Sequence, residues 1–346
     1  MDCNRRFSQF TTVTIALLVL GSPALAWDEE GHVAVTRVAH RILPDRIPAW
    51  VKSPEVRVRL EYLCAEPDRW RGQNSLDLDH ANNPEHYFDV EHLKDFDLTL
   101  KALPPLRREF TDLLATVRLK HADRFAPYLR EGDKDYTKLV PGLLPYTISE
   151  LQWKTASSWT TLKTYEEYRD YVTDDMIENA KQNVVYHMGI LSHYIGDGSQ
   201  PLHLTMHHHG WVGENPIGYT SDKKFHSYID GGVLALHHIN AESIATLPAT
   251  PRKVSKDKYF EDICAYLNES FEKVEPLYAM EKSGELAKAP GKKFIEDRLS
   301  TGGEMLAGVW TAAFDGGHTD DFRVKRLLAR GKVKDRTGGT RGKLDD

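Results

Sequence analysis

Apolar residues recur at the three- and four-residue spacing of an α-helix along most of this chain. One such run begins near Val33 and ends before Pro44, and another runs from Leu113 to Phe125 and ends before Pro127. Residues at this spacing bury one stripe of a helix, whereas a half-buried strand alternates apolar and polar residues. That alternation is scarcely visible, so the sequence predicts an all-α fold. It predicts further helices over about 174–199, 231–245, 259–280 and 294–314, and irregular loops over 66–84, 139–145 and 205–223.

The charge balance limits what the protein binds. The chain carries 45 lysines and arginines against 51 aspartates and glutamates, a formal net charge of −6. It therefore lacks the overall basic field that drives non-specific nucleic-acid binding through counterion release. With 346 residues, 40% of them hydrophobic, the composition excludes disordered, collagenous and multi-span membrane proteins. Any phosphate chemistry must come from a local site.

The first 26 residues have the pattern of a secretory signal peptide. Two arginines precede an apolar stretch, and the small-x-small motif Ala24-Leu25-Ala26 follows it. A membrane anchor, the alternative, would need about 20 apolar residues. We therefore expect a secreted or periplasmic protein that is cleaved before Trp27, folds as one domain over 27–330 and ends in a disordered, charged tail over 331–346.

Removal of the signal peptide would leave two cysteines, Cys64 and Cys264, in an exported chain. A disulfide between them would close a loop of 200 residues, and two buried thiols that never pair are the alternative. The sequence leaves both possibilities open.

Two histidine–aspartate pairs share one helical spacing. His193 and Asp197 stand four residues apart in a predicted helix, and His226 and Asp230 repeat the spacing later. Side chains at i and i+4 lie on the same face of a helix, so each pair can contact one ion. A proline ends the first helix, so that His203 can fold back toward the same pocket. Imidazole and carboxylate ligands without cysteine favour zinc, with manganese as an alternative. The structural alternative is a helix-capping aspartate beside buried, hydrogen-bonded histidines.

The two pairs belong to a longer set of residues spread over most of 27–230. Its members are Trp27, Gly31-His32, Asp68, His86-Tyr87, the run from His193 to Asp197, the run from Gln200 to His203, His226 and Asp230. This set resembles the zinc-dependent type I nucleases, the single-strand-preferring enzymes often called the S-one/P-one group. They share a superfamily with the bacterial zinc-dependent phospholipases C. The resemblance implies an all-helical, single-domain fold with a cleft that holds three zinc ions.

Matching this chain to the family, position by position, implies three groups of ligands. The first ion would be held by Asp68, His86, His193 and Asp197. The second would be held by His203, His226 and Asp230. The third would take His32, the amino nitrogen and carbonyl oxygen of Trp27, and Asp197 as a bridging carboxylate.

The same matching implies how a substrate is held. Arg71 stands where the nucleases contact phosphate, and Asp197 is the other residue expected at the catalytic centre. Tyr87 stands where an aromatic side chain stacks on a base, and Asp89 where a carboxylate accepts from the base edge. Asn215 is retained from the substrate-binding loop of the nucleases. A run of three histidines that begins at His207 is predicted to be a solvated loop, because consecutive residues rarely converge on one ion.

Ligand spacing separates the two branches of the superfamily. Trp27 to His32 spans five residues, His203 to His226 spans 23, and the last ligand is Asp230 where phospholipases C usually show glutamate. These features favour a secreted endonuclease that hydrolyses single-stranded DNA or RNA by metal-activated water, with no obligate protein partner evident. The loop after His203 lacks the aspartate and paired glycines of the nucleases, so a phospholipase C that cleaves phospholipid headgroups is the alternative. A zinc-stabilised binding protein without catalysis is a third possibility.

Overall fold

The computed structural model describes residues 27–71 and 73–333. Within those ranges the chain forms α-helices with short 3₁₀ and π turns, and its one β pairing is an isolated bridge between Phe88 and Gly142. The prediction of an all-α fold is therefore confirmed for the described part of the chain. The predicted signal peptide and residues 334–346 of the predicted tail lie outside the described residues.

The α-helices follow one another along the whole described chain. They are α1 (Glu29–Arg41), α2 (Pro54–Leu63), α3 (Glu66–Arg71), α4 (Leu76–Asn82), α5 (Arg107–Lys120), α6 (Leu144–Glu167), α7 (Asp174–Ser199), α8 (Phe225–Ser227), α9 (Val233–His237), α10 (Ala241–Ala245), α11 (Tyr259–Phe271), α12 (Val274–Ser283), α13 (Ala289–Gly316) and α14 (Asp321–Ala329). Short 3₁₀ helices at Asn83–His86 and Pro201–Leu204 and a π turn at Tyr228–Gly232 connect some of them. In the part of the chain that the structure describes, no helix is long and apolar enough to cross a membrane.

Helix α7 is the centre of the fold. Thr173 caps its start by accepting a hydrogen bond from the Met176 amide at 3.3 Å. The helix ends at Ser199 because the proline at position 201 has no amide hydrogen to continue the ladder. Every residue from Met188 to Ser199 is buried, and α1, α2, α6, α11 and α13 pack around the helix. The helix predicted over 174–199 is confirmed, and its last turns are fully enclosed by the core.

Two adjacent glycines let α13 approach α1 closely. A Cβ atom on Gly303 would lie 2.5 Å from the Val38 Cβ, and one on Gly302 would lie 3.1 Å from a Val35 methyl group. Glycine is needed here because any larger residue would push the two helices apart. The contact holds α1, and with it His32, against the core.

The segment 66–84, predicted to be an irregular loop, is mostly helical. It contains α3 and α4, and the Ser75 hydroxyl accepts a hydrogen bond from the Leu78 amide at 3.5 Å at the start of α4. The two helices bury only Pro67 and Asn82. They therefore lack the apolar stripe by which helical periodicity is recognised, and the loop prediction was wrong for that reason.

Two helices that were predicted as continuous are each broken. The first break lies at His238, whose φ of +53° is left-handed, and Asn240 then caps α10. The second break lies between α11 and α12. There, Pro276 in the first turn of α12 could not occur in the interior of one continuous helix, because its ring would clash with the carbonyl of Glu272. Apolar residues continue across both breaks, so periodicity alone did not reveal them.

Cys64 and Cys264 are both buried and free in the described chain. The Cys64 thiol donates to the carbonyl oxygen of Glu61 at 2.9 Å. Of the two alternatives left by the sequence, the structure therefore has the pair of buried thiols.

Candidate metal centre

Eight histidine and aspartate side chains converge on one buried region. They are His32 on α1, Asp68 on α3, His86 at the end of the 3₁₀ helix Asn83–His86, His193 and Asp197 on α7, His203 on Pro201–Leu204, His226 on α8 and Asp230 in the π turn. Seven of them are buried, and Asp68 exposes 10% of its side chain. These are the side chains that the sequence singles out as ligands, so the fold brings distant parts of the chain to a single centre.

Four ligand atoms form the tightest group. The His193 Nε2 atom lies 3.0 Å from the His86 Nδ1 atom, and each of these two nitrogens lies 3.8 Å from the Asp68 Oδ1 atom. The Asp197 Oδ2 atom is 3.2 Å from His86 Nδ1 and 3.4 Å from His193 Nε2. Ligands bonded tetrahedrally to zinc at about 2.0–2.1 Å lie about 3.3 Å from one another. The spacing within this group therefore suits one small ion.

The two oxygens of Asp197 face different histidines. The Oδ2 atom belongs to the group just described, whereas the Oδ1 atom lies 3.5 Å from His32 Nε2 and 3.7 Å from His203 Nδ1. His32 also stacks on His193, with ring centroids 4.0 Å apart. One oxygen of this carboxylate faces the first group and the other faces His32, which is the arrangement of a bridging ligand.

A second group lies beside Asp197. His226 Nε2 is 3.4 Å from Asp230 Oδ2, and the rings of His203 and His226 meet edge to face with centroids 5.0 Å apart. The Gln200 amide nitrogen donates to Asp230 Oδ1 at 2.6 Å, which fixes that carboxylate and leaves Oδ2 without a hydrogen-bond partner. Sequence matching assigns His203, His226 and Asp230 to one ion, and the fold places them side by side.

Many of these buried atoms have no hydrogen-bond partner among the residues described. They are both ring nitrogens of His32 and of His226, Nε2 of His86 and of His203, Oδ1 of Asp197 and Oδ2 of Asp230. Each buried polar atom left unpaired costs about 1–3 kcal/mol. A neutral imidazole has one lone pair, so one nitrogen of each ring and the two carboxylate oxygens would gain partners by binding cations, and the residues present therefore fit a multinuclear metal site.

Backbone carbonyl groups orient two of the imidazoles. The Nδ1 atom of His193 lies 2.7 Å from the Cys64 carbonyl oxygen, and that of His203 lies 2.6 Å from the His86 carbonyl oxygen. Since a carbonyl can only accept, the proton in each contact belongs to Nδ1, and the lone pair of Nε2 is left to face the centre. This is the usual outer-shell arrangement of histidine ligands.

Burial sets the charge of the centre. It lowers the pKa of His193 and of His203 to about 3, so both imidazoles are neutral at physiological pH and can act as ligands. Burial raises the pKa of Asp197 and of Asp230 well above the usual carboxyl value. Bound cations would reverse this effect on the carboxylates, because opposite charge stabilises the ionised form.

A cavity of about 490 Å³ opens over the centre. His86, His203 and His226 line its floor, and Arg71 and Tyr87 line its wall. The Arg71 guanidinium donates from Nη1 to Asp68 at 3.2 Å and from Nε to Asn83 at 3.0 Å. The buried centre is therefore accessible to a ligand, and one cation is held beside it.

Asp89 and Asp95 are the two acidic residues that line the cavity, and Asp89 is the more buried. It exposes 13% of its side chain, and burial together with the charge of Glu91 raises its pKa to about 7. Its Oδ1 atom has no hydrogen-bond partner in the described chain. Three predicted substrate contacts, Arg71, Tyr87 and Asp89, thus share one cavity.

Two other predicted residues lie differently. Asn215 does not line the cavity: its amide group accepts from the Tyr219 amide and donates to the Tyr219 carbonyl, both at 2.8 Å, and so closes its own loop. The indole of Trp27 is fully buried and donates to the Ser199 hydroxyl at 3.0 Å, two residues beyond Asp197. The start of the described chain is therefore anchored next to the centre.

Sequence reasoning did not predict that His208, His209 and Arg118 line the cavity. His208 and His209, predicted to belong to a solvated loop, both line the cavity, and the His209 ring lies 5.3 Å from that of His226. Arg118 lines the cavity from α5. The density of histidines signalled the first two, but no spacing rule connects Arg118 with residues so far away in sequence.

Gly196 provides a test of the packing around His32. A Cβ atom at this position would lie 2.6 Å from the His32 Nδ1 atom, and His32 cannot retreat because it stacks on His193. We expect Gly196→Ala to lower the unfolding free energy by about 1–3 kcal/mol, the usual cost of overpacking, and to weaken metal binding at the centre. Thermal melts and metal titration check this. Gly316→Ala is the control, since a Cβ there meets nothing within 4 Å. Unchanged metal binding in Gly196→Ala would contradict the prediction.

A scan against protein-family models finds no match to this chain, and a search of the curated proteins finds none either. The residue pattern and the geometry of this centre are therefore the features that bear on function.

Proposed function

We propose that the protein is a zinc-dependent phosphodiesterase that hydrolyses single-stranded DNA or RNA. The observation that carries this proposal is that His32, His86 and His193 surround the buried carboxylate of Asp197, while His86, His203 and His226 line an open cavity together with the cation of Arg71. The arrangement suits a substrate that presents a phosphate to several cations at once.

The positions of the nitrogen and oxygen atoms in the centre determine which residues we assign to each ion. Asp68, His86, His193 and Asp197 would hold one ion, and His203, His226 and Asp230 a second. Nitrogen and oxygen donors without cysteine suit zinc. Bound zinc would supply Lewis-acid polarisation of the phosphate and would acidify a water molecule. The orienting carbonyls of Cys64 and His86 keep two imidazoles in the ligand tautomer.

A third ion is proposed at His32. This imidazole faces Asp197 Oδ1, and the anchored Trp27 begins the turn that leads into α1. If export and cleavage free the amino nitrogen of Trp27, that nitrogen and its carbonyl oxygen would join His32 and Asp197 as ligands. Export, cleavage and the third ion belong to the proposal.

Arg71 is proposed to bind the phosphate. Its contacts with Asp68 and Asn83 use Nη1 and Nε, and no hydrogen bond from Nη2 is recorded within the described residues. A planar guanidinium held in this way keeps a donor directed at the cavity and binds phosphate oxygens with little loss of freedom. It would also stabilise the additional negative charge of the transition state.

Tyr87 is proposed to stack on a base. We expect Tyr87→Ala to raise the KM for oligonucleotides by a factor of about 5 to 150, which corresponds to 1–3 kcal/mol per stacked base. The rate on a small phosphodiester without a base should change little. Tyr87→Phe is the matched control, because it keeps the ring and removes only the hydroxyl group. Steady-state kinetics on both substrates check this, and equal losses on the two substrates would argue against stacking.

The cations of the cavity favour a nucleic acid over a choline phospholipid. Arg71, Arg118 and Lys138 line it and outnumber the two carboxylates, Asp89 and Asp95. Sites for quaternary ammonium groups are built from aromatic faces, and neighbouring cations would repel the headgroup. Several cations instead suit a polyanionic strand.

The test is one purified sample assayed on single-stranded DNA, RNA and phosphatidylcholine, with its zinc content measured. We expect hydrolysis of the two nucleic acids and about three zinc ions per chain. Hydrolysis of phosphatidylcholine alone would replace the nuclease by the phospholipase. Zinc without turnover on any of the three would indicate a binding protein.

A further inference from the structure

Tyr136 has a backbone conformation that is unusual for its residue type. Its φ is +58°, in the left-handed region. The other three non-glycine residues with positive φ in the described ranges are Asn74, Asp97 and His238. Asparagine, aspartate and histidine are enriched in this conformation, whereas a bulky residue is an outlier there and pays a cost in free energy. Strain of this kind clusters at functional sites. The turn alone would be better served by asparagine, which points to a use for the tyrosine ring.

Hydrogen bonds hold the turn around Tyr136. The Asp133 carboxylate accepts from the amide groups of Thr137 and Lys138, at 2.9 Å and 3.1 Å. It also accepts from the Tyr128 hydroxyl group at 3.0 Å. These bonds fix the main chain next to Tyr136, and 49% of that residue remains exposed. The strained turn therefore presents an aromatic side chain to solvent.

This turn lies at the rim of the cavity over the metal centre. The next two residues, Thr137-Lys138, line the cavity, and consecutive Cα atoms are about 3.8 Å apart. On the other side of Tyr136, the Asp135 carboxylate accepts from the Asn83 side chain at 3.1 Å. Asn83 in turn accepts from Arg71 at 3.0 Å. The exposed ring and the proposed phosphate-binding arginine therefore belong to one connected structure.

Three side chains surround the exposed ring of Tyr136. Tyr128 meets it edge to face with centroids 6.0 Å apart, and the His80 ring lies 6.4 Å from it at a tilt of 33°. The central carbon of the Arg130 guanidinium lies 5.0 Å from its centroid. All three neighbours are themselves exposed. These four side chains form what we call the Tyr136 platform. Exposed rings beside an arginine are the feature on which proteins stack the bases of single strands.

The charge around the platform is mixed. Residues 118–138 carry six lysines and arginines against four aspartates and glutamates, so this segment is basic in a chain whose formal net charge is −6. Two of the four carboxylates, Asp133 and Asp135, already accept hydrogen bonds within the turn. Helix α4, on the other side of the platform, adds Asp77 and Asp79. Because the net charge is small, stacking would have to supply most of the binding.

We propose that the Tyr136 platform stacks bases of the single-stranded substrate outside the cavity, a proposal that rests on the proposed nuclease function. The occupant is the substrate's own strand, because the platform continues directly into the cavity through Thr137-Lys138. Tyr136 does not line the cavity itself, so a dinucleotide bound at Tyr87 would not reach the platform. In a duplex the base faces are covered by their neighbours. The platform would therefore favour long, unpaired strands.

The test compares KM values of the zinc-loaded protein on three substrates. They are a thymidine dinucleotide, an oligothymidylate of about eight nucleotides, and a strand of the same length that keeps only its two central bases. Tyr136→Leu keeps a bulky side chain and removes the aromatic face. We expect it to raise the KM for the oligothymidylate about fivefold or more, the effect of losing one stacked base. The KM values for the other two substrates should not change. Tyr136→Phe, which keeps the ring, should behave as the wild type.

Tyr136→Asn separates stacking from a structural role. This variant removes the ring and relieves the strain, because asparagine tolerates the left-handed conformation. We expect its melting temperature to equal or exceed that of the wild type, while its KM for the oligothymidylate rises as in Tyr136→Leu. A ring that only covers the turn would give the opposite result, a lower melting temperature with an unchanged KM.

Tyr62→Leu is the matched control. Tyr62 is 51% exposed and lies under the Arg69 guanidinium, whose central carbon is 4.2 Å from the ring centroid, but it does not line the cavity. It should keep all three KM values. An unchanged KM for the oligothymidylate in Tyr136→Leu and Tyr136→Asn, or an equal rise on all three substrates, would overturn the inference and leave the nuclease function intact. Hydrolysis of phosphatidylcholine and of none of the three nucleic acids would overturn the proposed function as well.

Discussion

Asp197→Asn should lose more than one zinc ion and lower phosphodiester hydrolysis by more than about 100-fold, the upper range for loss of an outer-shell partner. The two oxygens of Asp197 face His86 and His193 on one side and His32 and His203 on the other. An amide has one acceptor oxygen, so it cannot serve both sides, and its neutral charge weakens attraction to each cation. Metal content and steady-state rates measure the effect.

Two further variants make this result specific. Asp230→Asn should lose about one ion, and its hydrolysis rate should fall less than that of Asp197→Asn. Only one oxygen of Asp230 is available to an ion, since the other already accepts from Gln200. Asp315→Asn should change neither quantity, because Asp315 is a half-exposed partner of Arg46. If the variants at 197 and 230 lost equal and small amounts of zinc, Asp197 would not be a bridge. Circular dichroism confirms that each variant is folded.

Removal of zinc should lower the melting temperature by more than about 8 °C at pH 8, and by less at pH 6.5. A single site filled at 1,000 times its dissociation constant contributes about 4 kcal/mol, and in a chain of this size each kcal/mol shifts the melting temperature by roughly 2 °C. Several ions would add further stability. Thermal melts with and without a chelator measure the difference.

The dependence on pH follows from the buried carboxyl groups. Burial raises the pKa of Asp197 and Asp230 in the metal-free fold. The folded chain then holds protons that the unfolded chain has lost, so metal-free stability falls as the pH rises above the unfolded carboxyl value near 3.9. The buried histidines have lowered pKa values. They reduce stability only below about pH 6.5, where the unfolded chain gains protons that the fold excludes.

Above about pH 6.5 the buried histidines no longer contribute, so the raised carboxyl pKa values set the sign of the remaining pH dependence. As long as the metal-free fold holds these protons, it should become less stable as the pH rises, whereas the zinc form should not. Parallel melting curves for the two forms would contradict the assignment of these carboxylates to the metal centre. Addition of zinc to the chelated protein should restore the higher melting temperature at pH 8.

The sequence predicted the part of the centre that lies on α7 because two signals coincide there. The apolar spacing over 174–199 is strong, and His193 and Asp197 lie on the same turn of the same face. Burial of the entire last third of the helix then places both side chains inside the core. A local rule of helix geometry was sufficient for this pair.

Asp68 and Arg118 show where local rules stop. Asp68 lies on a short helix that buries almost no apolar residue, so periodicity could not locate it, and only family resemblance brought it into the ligand set. Arg118 lies on a helix whose position is readable, but its place in the cavity depends on a hydrogen bond to the Leu139 carbonyl oxygen. That contact is a product of tertiary packing and leaves no trace in residue spacing.

The acceptors that orient His193 and His203 are carbonyl oxygens of the main chain. A side-chain acceptor can be deleted by a single codon change, but a carbonyl is present whatever residue occupies positions 64 and 86. Point mutation can therefore remove these imidazoles but cannot easily misalign them. If the proposed function holds, a descendant that changed its substrate or lost turnover would still inherit correctly directed nitrogen atoms, and the metal site would outlast the specificity of the cavity above it.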